Sequence, residues 1–118
     1  MEFVGHTPDK VYGTLHWWDS TSVKENKHKM KGNNLVVIDK HNQYHVYSLE
    51  RRGSTISLFV DGDNYLIFSP PASAFKETFT GPLYLLLNTA VGGSWGGEID
   101  DTIFPQQFSI DYVRVFRI

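Results

Sequence analysis

Alternation with a period of two residues is the feature that most restricts how this chain can fold. In Val11–Trp18 the odd positions are Val11, Gly13, Leu15 and Trp17, and the even ones are Tyr12, Thr14, His16 and Trp18. Alternate residues of a strand face opposite sides, so the segment reads as a strand with one apolar face and one aromatic and polar face. Further β-rich runs follow at short intervals: Leu35–Ile38, Tyr44–Leu49, Thr55–Val60, Tyr65–Phe68, Leu83–Val91 and Phe108–Phe116. Asp61-Gly62-Asp63-Asn64 has the composition of a hairpin turn between two of them. Leu83–Val91 is long and hydrophobic, which predicts a strand buried on both faces. Phe108–Phe116 reads as the last strand, with Asp111 and Arg114 interrupting an apolar series. Helical periodicity is scarce. Ser69-Pro70-Pro71-Ala72 and Gly81-Pro82 leave room for one helical turn over Ser73–Thr78. Gly92–Gly97 reads as a loop presenting Trp95, and the lysine-rich stretch Lys24–Lys31 as a solvated loop.

The fold class is therefore all-β and antiparallel. Its six or seven strands are few for two complete sheets. A length of 118 residues corresponds to a single domain, 1–118, and the 41% apolar and 14% aromatic content supplies a core. The net charge of −2 offers no positive field to nucleic acid or an anionic membrane surface. With no cysteine, a disulfide scaffold, a thiolate metal site and a cysteine nucleophile are excluded. No apolar run approaches the ~18 residues of a membrane span, and no signal-peptide pattern opens the chain.

Several motifs, taken in order, resemble a known family. They are Glu2-Phe3-Val4-Gly5-His6, Val11–Trp17, Tyr44–Glu50, Phe59-Val60-Asp61-Gly62, Leu87–Trp95, Phe104-Pro105-Gln106 and Asp111–Phe116. Together they resemble the laminarinase-type endo-β-1,3-glucanases of glycoside hydrolase family 16, which are β-jelly rolls. The resemblance runs through essentially all of this chain but only the C-terminal half of the family domain. It implies half a jelly-roll sandwich, β-glucan as the partner and an extracellular location.

The family's catalytic motif is Glu-x-Asp-x-x-Glu on one strand: nucleophile, helper aspartate and acid/base. Glu2 matches the last of these. The other two would lie five and three residues earlier, before Met1. Retaining glycoside hydrolysis needs two carboxyls about 5–5.5 Å apart, one as nucleophile and one as acid and then base. An isolated copy of this chain is thus expected not to complete the double displacement. Read without the resemblance, Glu2 is a frayed terminal carboxylate in solvent.

The resemblance also implies substrate contacts. His16 and Trp18 would line the cleft, and Trp95 would stack on a sugar ring, as aromatic faces do. Tyr84 and Asn88 share one face of the expected Leu83–Val91 strand and would face the same cleft. The competing readings are a surface histidine for His16, a core tryptophan for Trp95 and a buried structural amide for Asn88. No cofactor is required. Asp111 matches a residue that helps hold a structural calcium in the family, and otherwise reads as an aspartate bonded to nearby backbone. Glu98-Ile99-Asp100-Asp101 spells the start of the catalytic motif, yet sits beside a glycine-rich loop and reads as solvated. The sequence departs from the family at Arg51, where tryptophan is usual, and at Gly96-Gly97, where Pro-Gly is usual.

Half a sandwich leaves apolar inner faces uncovered, and the simplest repair is a two-fold homodimer. Light scattering at micromolar concentration is expected to give twice the 13.5 kDa chain mass, and a monomer would refute the pairing.

Overall fold

The computed structural model describes residues 1–23, 25–37 and 43–117. Lys24 of the lysine-rich stretch and Ile38 at the end of the Leu35 run lie outside the described residues. The chain divides into two compact units, Met1–Tyr84 and Leu85–Ile118.

The first unit is mostly β, with two antiparallel three-stranded sheets. One sheet joins β1 (Glu2–Phe3), β2 (Lys10–Trp18) and β3 (His28–Val36) in that order. The other joins β4 (Tyr47–Arg52), β5 (Thr55–Val60) and β6 (Asp63–Phe68). The alternation expected over Val11–Trp18 is present: Val11, Gly13 and Leu15 are buried, while His16 and Trp18 are exposed. β5 alternates likewise, burying Ile56, Leu58 and Val60. These inward faces meet in one core with Tyr65, Leu66 and Phe79.

Two tight turns set the register of β4–β6. Gly53-Ser54 links β4 to β5, with Gly53 at φ 58° supplying the left-handed conformation at the first turn position. Asp61-Gly62 links β5 to β6 with φ 53° and 89°, the double positive φ of a type I′ hairpin. The turn is thus two residues long, and Asp63 and Asn64 already belong to β6. Asp61 is further held by its carboxylate, which accepts from the Val46 N–H at 2.9 Å and bonds the His45 ring at 2.6 Å.

A bulge explains why Tyr65 and Leu66, adjacent in sequence, are both buried. Leu58 pairs with Leu66 and Phe59 with Asn64, so Tyr65 is the extra residue of β6. Its ring enters the space above Gly13. A Cβ at Gly13 would stand 2.6 Å from Leu58 Cδ1 and 2.7 Å from the Tyr65 hydroxyl. The bulge also frees the Tyr65 carbonyl, which accepts from Asn33 Nδ2 at 2.6 Å and so ties β3 to β6.

The helical turn expected over Ser73–Thr78 is α1 (Ala72–Thr78). It buries Ala74 and sets Phe75 against Phe79, with ring centroids 6.0 Å apart. Arg51 reaches across to α1. It donates to the Phe79 carbonyl at 2.7 Å and lies over the Phe75 ring, so it caps the C-terminal end of α1.

Three expectations need correction. The Lys24–Lys31 stretch is not all loop, because His28–Lys31 pair with Leu15–Trp18 as the start of β3. Leu83–Val91 is not a buried strand: Leu85, Leu86 and Leu87 are 63%, 70% and 49% exposed and belong to no strand. Phe108–Phe116 is likewise not a strand, with Val115 92% exposed. A strand exists only with a ladder partner, and one apolar on both faces needs a layer on each side. The ladders among the described residues use only β1 to β6.

The second unit carries local structure of its own. α2 is a single turn, Gly93–Gly96, within the expected Gly92–Gly97 loop. A 3₁₀ turn follows at Asp101–Ile103, capped by Asp100, which accepts from the Thr102 N–H at 2.9 Å and its hydroxyl at 2.5 Å. Those bonds hold the Asp100 carboxyl below its ordinary value. Among the described residues, no helix is long and apolar enough to cross a membrane.

Two outcomes test this packing. Gly13→Ala is expected to destabilise the fold by about 1–3 kcal/mol through overpacking, read as a lower urea midpoint. The Tyr65 hydroxyl is buried and makes no hydrogen bond among the described residues. Burial, and secondarily Tyr47, pushes its pKa up to about 12 from 10.0. The folded state therefore holds the neutral phenol. The stability tied to it is complete below pH 10.0 and is lost as pH rises through about 12. Tyr65→Phe is expected to retain or raise stability at pH 7 and to flatten that alkaline loss in denaturation curves.

Candidate functional site

The outward face of the β1–β2–β3 sheet carries the candidate site. Even positions of β2 point there, and the register adds their opposite numbers on β3: Asn34 opposite Tyr12, Gly32 opposite Thr14, Met30 opposite His16 and His28 opposite Trp18. On the other side, Glu2 pairs with Tyr12. The Glu2 carboxylate, His16 and Trp18 therefore stand on one face, along with His28.

Their spacing follows from the strand. Counting along β2, His16 lies about 13 Å and Trp18 about 20 Å from the Tyr12 row that carries Glu2. The arrangement is an open row rather than a closed pocket, since Glu2, His16, Trp18 and His28 are all exposed. Gly32 keeps the middle of the row low. A Cβ there would meet Thr14 Oγ1 at 3.3 Å and the Gly13 carbonyl at 3.4 Å.

Glu2 is exposed but not frayed, because β1 is fastened to β2 by the turn that follows it. Val4 is buried at 7% exposure. The Thr7 N–H donates to the Val4 carbonyl at 2.9 Å, and the Lys10 N–H to the Thr7 carbonyl at 3.0 Å. The Tyr12 hydroxyl donates to Thr7 Oγ1 at 3.3 Å on the same face as Glu2.

At the far end of the row, His16 Nδ1 and His28 Nε2 are 3.0 Å apart, with the rings 14° from parallel. Trp18 is half exposed beside them, and its backbone N–H donates to the Thr78 hydroxyl of α1 at 3.3 Å. A polar row ending in an exposed indole suits a ligand that offers hydroxyls along its length and apolar ring faces between them.

The other expected site residues belong to other parts of the chain. Tyr84 ends the first unit, 88% exposed and outside any strand. Asn88, Trp95 and Asp111 belong to the second unit. Asn88 is exposed, which removes the buried-amide reading. Trp95 sits in α2 at 46% exposure, so it does not fill a core. Asp111 is exposed, and among the described residues no three His, Cys, Asp or Glu side chains gather to hold a metal. In the Glu98–Asp101 segment, Asp100 is a capping residue, in keeping with the solvated reading.

His28 was absent from the sequence-based site. The signal lay in the period-two lysines Lys27, Lys29 and Lys31, which place His28 and Met30 together on the opposite face of a strand.

The chain aligns along nearly its whole length with several characterised proteins. It is 37% identical over 128 aligned positions to a β-glucanase of Rhodothermus marinus, covering 99% of this chain and 43% of that protein. It is 34% identical to the clotting factor G alpha subunit of Tachypleus tridentatus, over 99% of this chain and 17% of that protein. It is 32% identical to glucan endo-1,3-beta-glucosidase A1 of Niallia circulans, over 99% of this chain and 18% of that protein. The chain thus spans less than half the length of these relatives. No family model and no solved structure matches it.

Proposed function

We propose that this chain is the C-terminal half of a family 16 β-1,3-glucan hydrolase domain and that it engages a laminarin-type glucan along the outward face of β2. One observation carries the reading: Glu2, His16 and Trp18 are aligned on one exposed strand face, in a chain similar throughout to a β-glucanase and an endo-1,3-beta-glucosidase. In this reading Trp18 stacks on a pyranose face and His16 bonds its hydroxyls. Trp95, Tyr84 and Asn88 supply further sugar contacts.

Glu2 is the acid/base group of a retaining mechanism. It first gives its proton to the leaving glycosidic oxygen and later takes one from the attacking water. The nucleophile comes from a carboxylate outside these residues. A complementary N-terminal half or a second copy of the chain would bring it, and a homodimer would also cover the exposed leucines of Leu83–Val91. The site requires no cofactor, and an extracellular setting suits a polysaccharide substrate. A second reading, a β-glucan-binding module without catalysis, rests on the same exposed row and needs no nucleophile.

Electrophoresis through laminarin-containing gels tests the glucan reading. The chain is expected to be retarded, and Trp18→Ala to lose most of that retardation while keeping its fold. Loss of one stacking aromatic should cost about 1 kcal/mol or more, roughly fivefold or more in affinity. Reducing-sugar release is expected only after a complementary half is supplied, and Glu2→Gln should abolish it. Release by the chain alone that survives Glu2→Gln would refute the assigned role.

A further inference from the structure

The outward face of β2 and β3 holds one arrangement that glucan binding does not require. His16 and His28 are diagonal neighbours across the ladder, since Trp18 pairs with His28 and His16 with Met30. Both rings are exposed, and His16 Nδ1 faces His28 Nε2 across 3.0 Å. Two neutral imidazoles at that distance share a single hydrogen, one nitrogen carrying it and the other offering a lone pair.

The same spacing suits two nitrogens bound to one metal ion. With metal–nitrogen bonds of about 2.0–2.1 Å, neighbouring ligands at right-angled to tetrahedral geometry stand roughly 2.9–3.4 Å apart. We propose that His16 and His28 form a bidentate site for a divalent transition ion of the imidazole-seeking class, Zn²⁺, Ni²⁺ or Cu²⁺, with water completing its coordination. The inference does not rest on the glucan reading.

Binding asks for two local changes. The shared hydrogen moves to the outer nitrogen of the same ring, so both inner nitrogens present lone pairs and no net proton is released. The rings then turn from facing one another to converging on the ion, which their exposure allows. The backbone beneath them need not move, because the nine-residue pairing of β2 with β3 fixes the two Cα positions. The start of β3 is also pinned, with the His28 N–H donating to Asn26 Oδ1 at 2.9 Å.

The donor set gives the site its selectivity. Two imidazoles without a third gathered ligand among the described residues disfavour Ca²⁺ and Mg²⁺, which take oxygen donors. Among the other described histidines, His45 is engaged with Asp61.

Calorimetric titration of the 118-residue chain with ZnCl₂ and with NiCl₂ tests this. One ion per chain is expected. His16→Asn and His28→Asn should each weaken binding by about tenfold or more, and His6→Asn should leave it unchanged. Imidazole ¹⁵N spectra of the unaltered chain give an independent reading, with Zn²⁺ shifting Nδ1 of His16 and Nε2 of His28 together. Wild-type affinity in either His16→Asn or His28→Asn, or zinc-induced shifts confined to other histidines, would overturn the assignment.

Discussion

The missing side chain at Gly13 lets the two sheets of the first unit close on each other. The Tyr65 ring and the Leu58 methyl occupy space that any Cβ at that position would claim. Glycine in a strand interior gives up packing surface and conformational entropy, and here both are offset by what moves into the gap. The β6 bulge is the matching device on the opposing sheet. It turns Tyr65 inward beside Leu66 and leaves a carbonyl for Asn33. Gap, bulge and amide bond act together, so the face-to-face packing of β2 on β5 and β6 is specified and not merely hydrophobic.

That packing has a consequence on the other side of the sheet. Because Val11, Gly13 and Leu15 are committed to the core, the two-residue period forces Tyr12, Thr14, His16 and Trp18 outward. A slip of one residue would bury the histidine and tryptophan and expose the core. The outward row is therefore held by the hydrophobic face behind it. Trp18 is steadied further by α1, whose Thr78 hydroxyl accepts from its backbone, and α1 is in turn capped by Arg51.

Much of the first unit was legible in the sequence. Strong alternation located β2 and β5, and the Asp-Gly pair located the β5–β6 hairpin, because side-chain periodicity and positive φ are local properties. The signal failed where structure depends on partners. Leu83–Val91 and Phe108–Phe116 have the composition of buried strands, yet they have no ladder and remain exposed. It failed in the opposite sense at His28–Lys31, where polar residues form a strand because β2 supplies the hydrogen bonds.

The sequence by itself determined the β class, the tight turns, the aromatic and polar face of β2 and the likeness to β-glucanases. Each is a matter of residue order: which side chains alternate, and where only glycine or aspartate accepts a left-handed turn. Tertiary structure alone decided that Glu2 is held beside Tyr12, that Tyr65 fills the space over Gly13 and that His28 meets His16. Those residues are far apart in the chain or lie in segments without apolar period. Their proximity is set by strand register, which depends on the burial of an entire sheet face and not on any local run of residues.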